Sequence, residues 1–111
     1  MNVLPRADCV IIPLEKFTRY ALNPASSPHK ALAFESALGY NIDNVEMLIA
    51  NIRDNIAKYP ATHKGNKGYG SIYEAVLTLT GPNGKQAKVL TGWLDDASNG
   101  EMRLTTVHVD K

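Results

Sequence analysis

The side chains that could do chemistry in this chain are spread along it. There are three histidines, His29, His63 and His108. Cations stand near them in sequence: Lys30 follows His29, Lys64 and Lys67 follow His63, and Arg103 precedes His108. Hydroxyl and aromatic groups accompany them at Tyr69, Thr91, Trp93, Thr105 and Thr106. This set suits cleavage of RNA through its own 2′-OH, which needs a base, an acid and cations around the phosphorane. Imidazole moves protons near neutral pH. Lys and Arg stabilise charge developing on phosphate oxygens. Thr and Tyr hydroxyls orient the phosphate, and aromatic rings stack on bases. Each residue also has a plainer role. Trp93 suits a core, Arg103 and Thr105 suit an outward strand face, the lysines suit a solvated loop, and His108 reads as exposed and idle near the C-terminus.

Other chemistries are poorly served. The acids are scattered, no His-x-x-x-His pair occurs, and Asp95-Asp96 falls in a turn, where carboxylates cap backbone. No metal and no cofactor is expected. Cys9 is the one cysteine, which rules out an internal disulfide and a cysteine-rich zinc site, and it reads as a small buried residue beside Val10. Gly65, Gly68 and Gly70 follow a helix and precede a strand, the wrong context for a dinucleotide fingerprint.

The elements that must position these groups can be read from periodicity. With 111 residues, 44% hydrophobic and 21% charged, the chain fits one domain with its own core. Residues 1–59 read as mainly helical, 60–70 as a basic loop and 71–109 as antiparallel strands. Cys9 to Ile12 suggests a short strand or tucked arm ended by Pro13. A first helix is predicted from Pro13 or Leu14 to Ala21, with Leu14, Phe17 and Ala21 on one face, stopped by Asn23-Pro24. A second runs from Pro28 to Leu38, with Ser27 as N-cap, Ala31, Phe34 and Leu38 inward, and Gly39 as the left-handed stop. A third starts at Asp43, capped reciprocally by Glu46 and stapled by Ile42 and Met47, and buries Val45, Leu48, Ile49, Ile52 and Ile56 until Tyr59-Pro60.

Residues 60–70 contain three Gly, two Lys, one His and no acid, and read as a flexible basic loop. Strands are then predicted at Ser71–Thr80, Gln86–Asp95 and Glu101–Val109, joined by the turns Gly81-Pro82-Asn83-Gly84 and 95–100. The expected fold class is α+β: N-terminal helices on a small C-terminal antiparallel sheet, a three-strand meander with room for one more short strand. Alternation leaves the sheet's inner face undecided. Val89, Thr91 and Trp93 share one side of their strand. On the next, Arg103, Thr105, Val107 and Val109 oppose Leu104, Thr106 and His108.

The net charge is +1, with −1 over residues 1–57 (5 basic, 6 acidic) and +2 over 58–111 (7 basic, 5 acidic). That asymmetry is too small to demand a polyanion partner by itself. No apolar run reaches membrane-spanning length and no signal peptide is visible, so export would depend on a longer parent chain.

Several stretches resemble a bacterial family of uncharacterised domains found alone and at the C-termini of polymorphic toxins, including contact-dependent growth inhibition proteins. They are Ile11 to Phe17, Tyr20 to Pro24, His29-Lys30-Ala31 with Phe34, Leu38-Gly39-Tyr40, Leu79 to Gly84, Val89-x-Thr91-x-Trp93 and Arg103-Leu104-Thr105. The resemblance spans nearly the whole chain. It implies a fold like that of the barnase, EndoU, colicin and RelE group of ribonucleases. It also implies cleavage of tRNA, neutralisation by a cognate immunity protein, and for some members a need for elongation factor Tu. The parent protein would be exported to the bacterial surface, and the toxin domain would act in the target-cell cytoplasm.

Together these readings give an expectation of a metal-independent RNA endonuclease. His29 would be acid or base, Lys30 and Arg103 the phosphate stabilisers, and Thr91 and Thr105 the orienting hydroxyls. His63, Lys64, Lys67, Tyr69 and Trp93 would bind the RNA. The expectation requires His29 and Arg103 to converge on one cleft. A non-enzymatic protein-binding module, immunity or adaptor, is the alternative, and a metal-dependent DNA nuclease is a more distant one.

Overall fold

The computed structural model describes residues 2–110. The helices do not open the chain. A mostly extended arm precedes them, interrupted by a 3₁₀ turn at Ala7–Cys9. That turn buries Ala7 and directs Cys9 outward, so the cysteine expected in the core is exposed. Beyond it the arm alternates: Val10 and Ile12 are buried and Ile11 faces out. Ile11 makes a single parallel bridge to Arg103, donating to the Met102 carbonyl at 2.8 Å and accepting from Leu104 N–H at 2.9 Å. The strand predicted at Cys9–Ile12 is thus reduced to one rung, because a 3₁₀ turn precedes it and Pro13 follows without an N–H.

The first predicted helix is a short irregular one that widens into a π-helical turn at Phe17–Ala21. Leu22 N–H reaches the Phe17 carbonyl at 2.9 Å, an i→i+5 closure. The wider turn brings Leu22 inward with Phe17 and Ala21 and leaves Leu14 exposed. Asn23 ends it, donating to the Thr18 carbonyl and accepting from Ala25 N–H.

The next helix, α1 (Pro28–Leu38), follows the sequence closely. Pro28 is at its first turn, Ala31, Phe34 and Leu38 are buried, and Gly39 closes it at φ 84°. A 3₁₀ turn at Ile42–Asn44 leads into α2 (Val45–Asn55). The cap differs from expectation. Asn41 accepts from Asp43 N–H at 2.9 Å, and Asn44 accepts from Asn41 N–H at 2.8 Å. The asparagine pair starts the turn one residue before Asp43, which moves Asp43 and Glu46 off the capping positions. Ile42 and Met47 lie exposed rather than stapled. Val45, Leu48, Ile52 and Ile56 are buried as predicted.

The sheet has four strands in the order β1-β2-β3-β4, all antiparallel: β1 Ala61–Asn66, β2 Gly70–Thr80, β3 Gln86–Asp96 and β4 Met102–Asp110. The predicted basic loop is therefore an edge strand and a tight turn. Its glycines and lysines carry little strand propensity, and pairing with the well-formed β2 overrides that. Ala75, Leu77 and Leu79, together with Val89, Thr91 and Trp93, form the inner face against the helices. On β4 the inner residues are Met102, Leu104 and Val107, a spacing of two then three. The irregular step is a bulge: Gly92 pairs with Thr106 and Trp93 with Leu104, leaving Thr105 as the extra residue. This is why simple alternation could not assign the faces of that strand. Among the described residues no helix is long and apolar enough to cross a membrane.

Candidate active site

The bulge in β4 interrupts the regular alternation of that strand. In an unbroken strand Thr105 and Thr106 would point to opposite faces. Here Thr105, Thr106 and Val107 line one hollow of about 230 Å³ together with Lys16, Tyr20, Ala21, Ser27 and Lys30. Gly92 makes the arrangement possible. A Cβ at Gly92 would sit 2.4 Å from Thr106 Cγ2. Ser27 occupies the N-cap position of α1, yet its side chain makes no capping bond, and it lines this hollow instead. Lys16 and Tyr20 lie one turn apart before α1, with Lys16 Nζ 6.0 Å from the Tyr20 ring centroid.

A second hollow of about 210 Å³ adjoins the first and shares Lys30 with it. His29, Ala33, His108 and Val109 complete it. His108 pairs with Leu90 and so lies on the outer face of the sheet, opposite to Val107. Its presence beside His29 means that the hollow wraps around the free edge of β4 beneath the start of α1. The backbone N–H groups of a first helical turn lack intrahelical partners and favour negative charge. Two imidazoles, two lysines, an exposed tyrosine and two threonine hydroxyls thus share one open cleft. Such a set can hold an anion and move protons on it.

The predicted residues divide sharply. His29, Lys30 and Thr105 lie in this cleft. Arg103 does not. It lies five residues up β4, four ladder steps once the bulge is allowed for, roughly 13 Å from His108 at about 3.3 Å per residue. There its Nη2 stands 3.4 Å from Glu101 Oε1. Its Nε is closed off from solvent without a hydrogen-bond partner. Its charge also helps hold the Asp96 carboxyl below the usual carboxylate range, after the larger effect of hydrogen bonds from the Ser98 hydroxyl and N–H. Neighbouring Asp95 is paired with Arg6 of the arm. The expected convergence of His29 and Arg103 therefore does not occur, because the start of α1 that carries His29 lies at the His108 end of β4 and Arg103 is at the other end.

Thr91 and Trp93 are corrected too. Both are fully buried. Trp93 Nε1–H donates to Thr91 Oγ1 at 2.8 Å, and that hydroxyl donates to the Ala75 carbonyl at 2.7 Å. The pair is internal architecture and cannot touch a substrate. His63, Lys64, Lys67 and Tyr69 lie on β1 and its turn, three strand spacings from β4, roughly 14 Å. His63 packs edge-on against Tyr73 with centroids 5.2 Å apart, and Lys64 Nζ is 3.9 Å from Glu74 Oε1.

Reading by residue type missed Lys16, Tyr20 and Ser27, and it set His108 aside as idle. The i, i+4 spacing of Lys16 and Tyr20 was an available signal. Nothing local marks His108, whose neighbours come from a helix about eighty residues earlier. Among the described residues no three His, Cys, Asp or Glu side chains gather as a metal-ligand group.

Residues 3–111 match a family described as a domain of unknown function, DUF6883. The chain belongs to that family. The match takes in every element described above, so the cleft is built entirely from family-domain residues. No curated protein and no solved structure matches the chain.

Proposed function

We propose that this DUF6883 domain is a metal-independent RNA endonuclease, a toxin domain acting on tRNA, with its active site in the cleft along the free edge of β4. The observation that carries this reading is that His29, Lys30 and His108 line one hollow. In the reaction one imidazole takes the proton of a ribose 2′-OH. The 2′-oxygen forms a bond to the adjacent phosphorus, the bond from phosphorus to the 5′-oxygen breaks, and the other imidazole protonates that leaving oxygen. The products are a 2′,3′-cyclic phosphate and a free 5′-OH. Lys30 stabilises charge on the non-bridging oxygens, and Thr105 and Thr106 orient them. Arg103, Thr91 and Trp93 take no part. The toxin setting, the immunity protein and any use of elongation factor Tu rest on the resemblance to polymorphic toxin domains.

The test is incubation of the purified protein with total transfer RNA in EDTA, with and without elongation factor Tu. Cleavage is expected, lowered by about 10²–10⁴-fold in His29→Ala and in His108→Ala, the usual contribution of a general acid or base. RNA left intact under both conditions overturns the reading.

A binding-module reading draws on a different surface. Ile72, Val76, Leu90 and Leu94 lie half-buried on the outer face of the sheet. If that face is the functional one, alanine at His29 leaves the biological effect untouched.

A further inference from the structure

We infer that the hollow around Tyr20 is a base subsite, holding one unpaired nucleobase of RNA next to the phosphate bound at Lys30. This deepens the nuclease reading and rests on it for the identity of the ligand. Three observations carry it. The first is size: at about 230 Å³ the hollow falls below the roughly 300–1,000 Å³ typical of sites for whole drug-sized ligands, and suits a single planar ring system. The second is its wall. Tyr20 is 54% exposed, although tyrosine buries a large face wherever packing allows. Lys16 Nζ lies over one face of the ring, 6.0 Å from its centroid, so a base would stack on the opposite face. An aromatic face flanked by a cation is what single-stranded nucleic acid stacks upon, without regard to sequence. The third is continuity. Lys30 lines both hollows, so a base against Tyr20 and a phosphate between His29 and His108 are adjacent parts of one chain.

Ser27 presents a hydroxyl that both donates and accepts, and can meet the edge of any base. Val107 provides an apolar floor. A paired base cannot reach such a hollow, so single-stranded loops and ends are the favoured targets.

The experiment uses the full chain and two RNA probes. Binding is measured by fluorescence anisotropy on a 2′-O-methyl RNA 12-mer, which lacks the nucleophile and cannot be cleaved. Tyr20→Ala is expected to weaken binding by about tenfold, within the range of one base–aromatic stack. Tyr20→Phe is expected to keep it, and circular dichroism of both variants controls for folding. Cleavable RNA carrying one abasic position is then scanned past the cleavage point. Wild-type KM should rise at one position only, and Tyr20→Ala should abolish that position's penalty. Equal binding by Tyr20→Ala and wild type, or an unchanged abasic penalty in the variant, overturns the subsite. If wild type cleaves no RNA, the nuclease reading fails, and the anisotropy arm still decides whether a base stacks on Tyr20.

Discussion

Thr91 shows how a polar side chain can be indispensable without being functional. Its hydroxyl accepts from the Trp93 indole and donates to the Ala75 carbonyl, all without solvent contact. Valine has nearly the same shape and neither capacity. Thr91→Val therefore strands the buried Trp93 N–H, which costs about 1–3 kcal/mol when left unpaired. Urea unfolding should show a loss of that order for Thr91→Val, with the residual RNA cleavage per folded molecule unchanged. Arg103→Ala should likewise leave cleavage within about twofold, since the guanidinium sits near Glu101 and away from the cleft. A large catalytic loss in Arg103→Ala would mean that the wrong end of β4 has been taken as the active site.

Two elements shape β4. The first is the bulge opposite Gly92. Because a Cβ there would lie 2.4 Å from Thr106 Cγ2, Gly92→Ala must displace the Thr105–Thr106 step. Overpacking of this kind costs about 1–3 kcal/mol. We expect Gly92→Ala to lower the unfolding midpoint and to reduce cleavage further than stability alone explains, while Ala at the exposed Gly84 does not touch cleavage. The second element is the β3–β4 turn. The Asp96 carboxylate accepts from the Ser98 N–H and hydroxyl and feels Arg103, so its folded pKa lies below the unfolded value. A depressed carboxylate adds stability above the ordinary carboxylate range and loses it as pH falls through the folded value. Unfolding measured from pH 7 downward should therefore show wild type and Asp96→Asn converging in stability in strong acid. A constant gap would mean that the ionised form contributes nothing.

At the scale of the molecule, and on the proposed function, charge sets how the domain meets RNA. A net charge of +1 provides no long-range basic field. The cleft's lysines are Lys16 and Lys30. Two phosphate neutralisations on a single strand correspond to a slope of about −1.4 in log K against log salt. Lys30→Gln should flatten it by about 0.7, and a slope several times steeper would place the binding face on another surface.

The sequence by itself determined the parts whose cause is local. Phe34, Leu38 and Gly39 specify α1 and its stop, and the Val45-to-Ile56 stripe specifies α2, because helical periodicity and capping operate over one or two turns. The β2–β3 hairpin follows from its turn residues in the same way. The tertiary structure alone decided β1, the face of β4 and the composition of the cleft. A Gly- and Lys-rich segment becomes a strand only when β2 offers it a ladder. The Gly92 bulge changes the parity of every later residue without any repeat to betray it. His108 shares a hollow with His29, and Arg103 does not, because position along an extended strand is converted to distance at about 3.3 Å per residue, while chemistry depends on separations of a few ångströms.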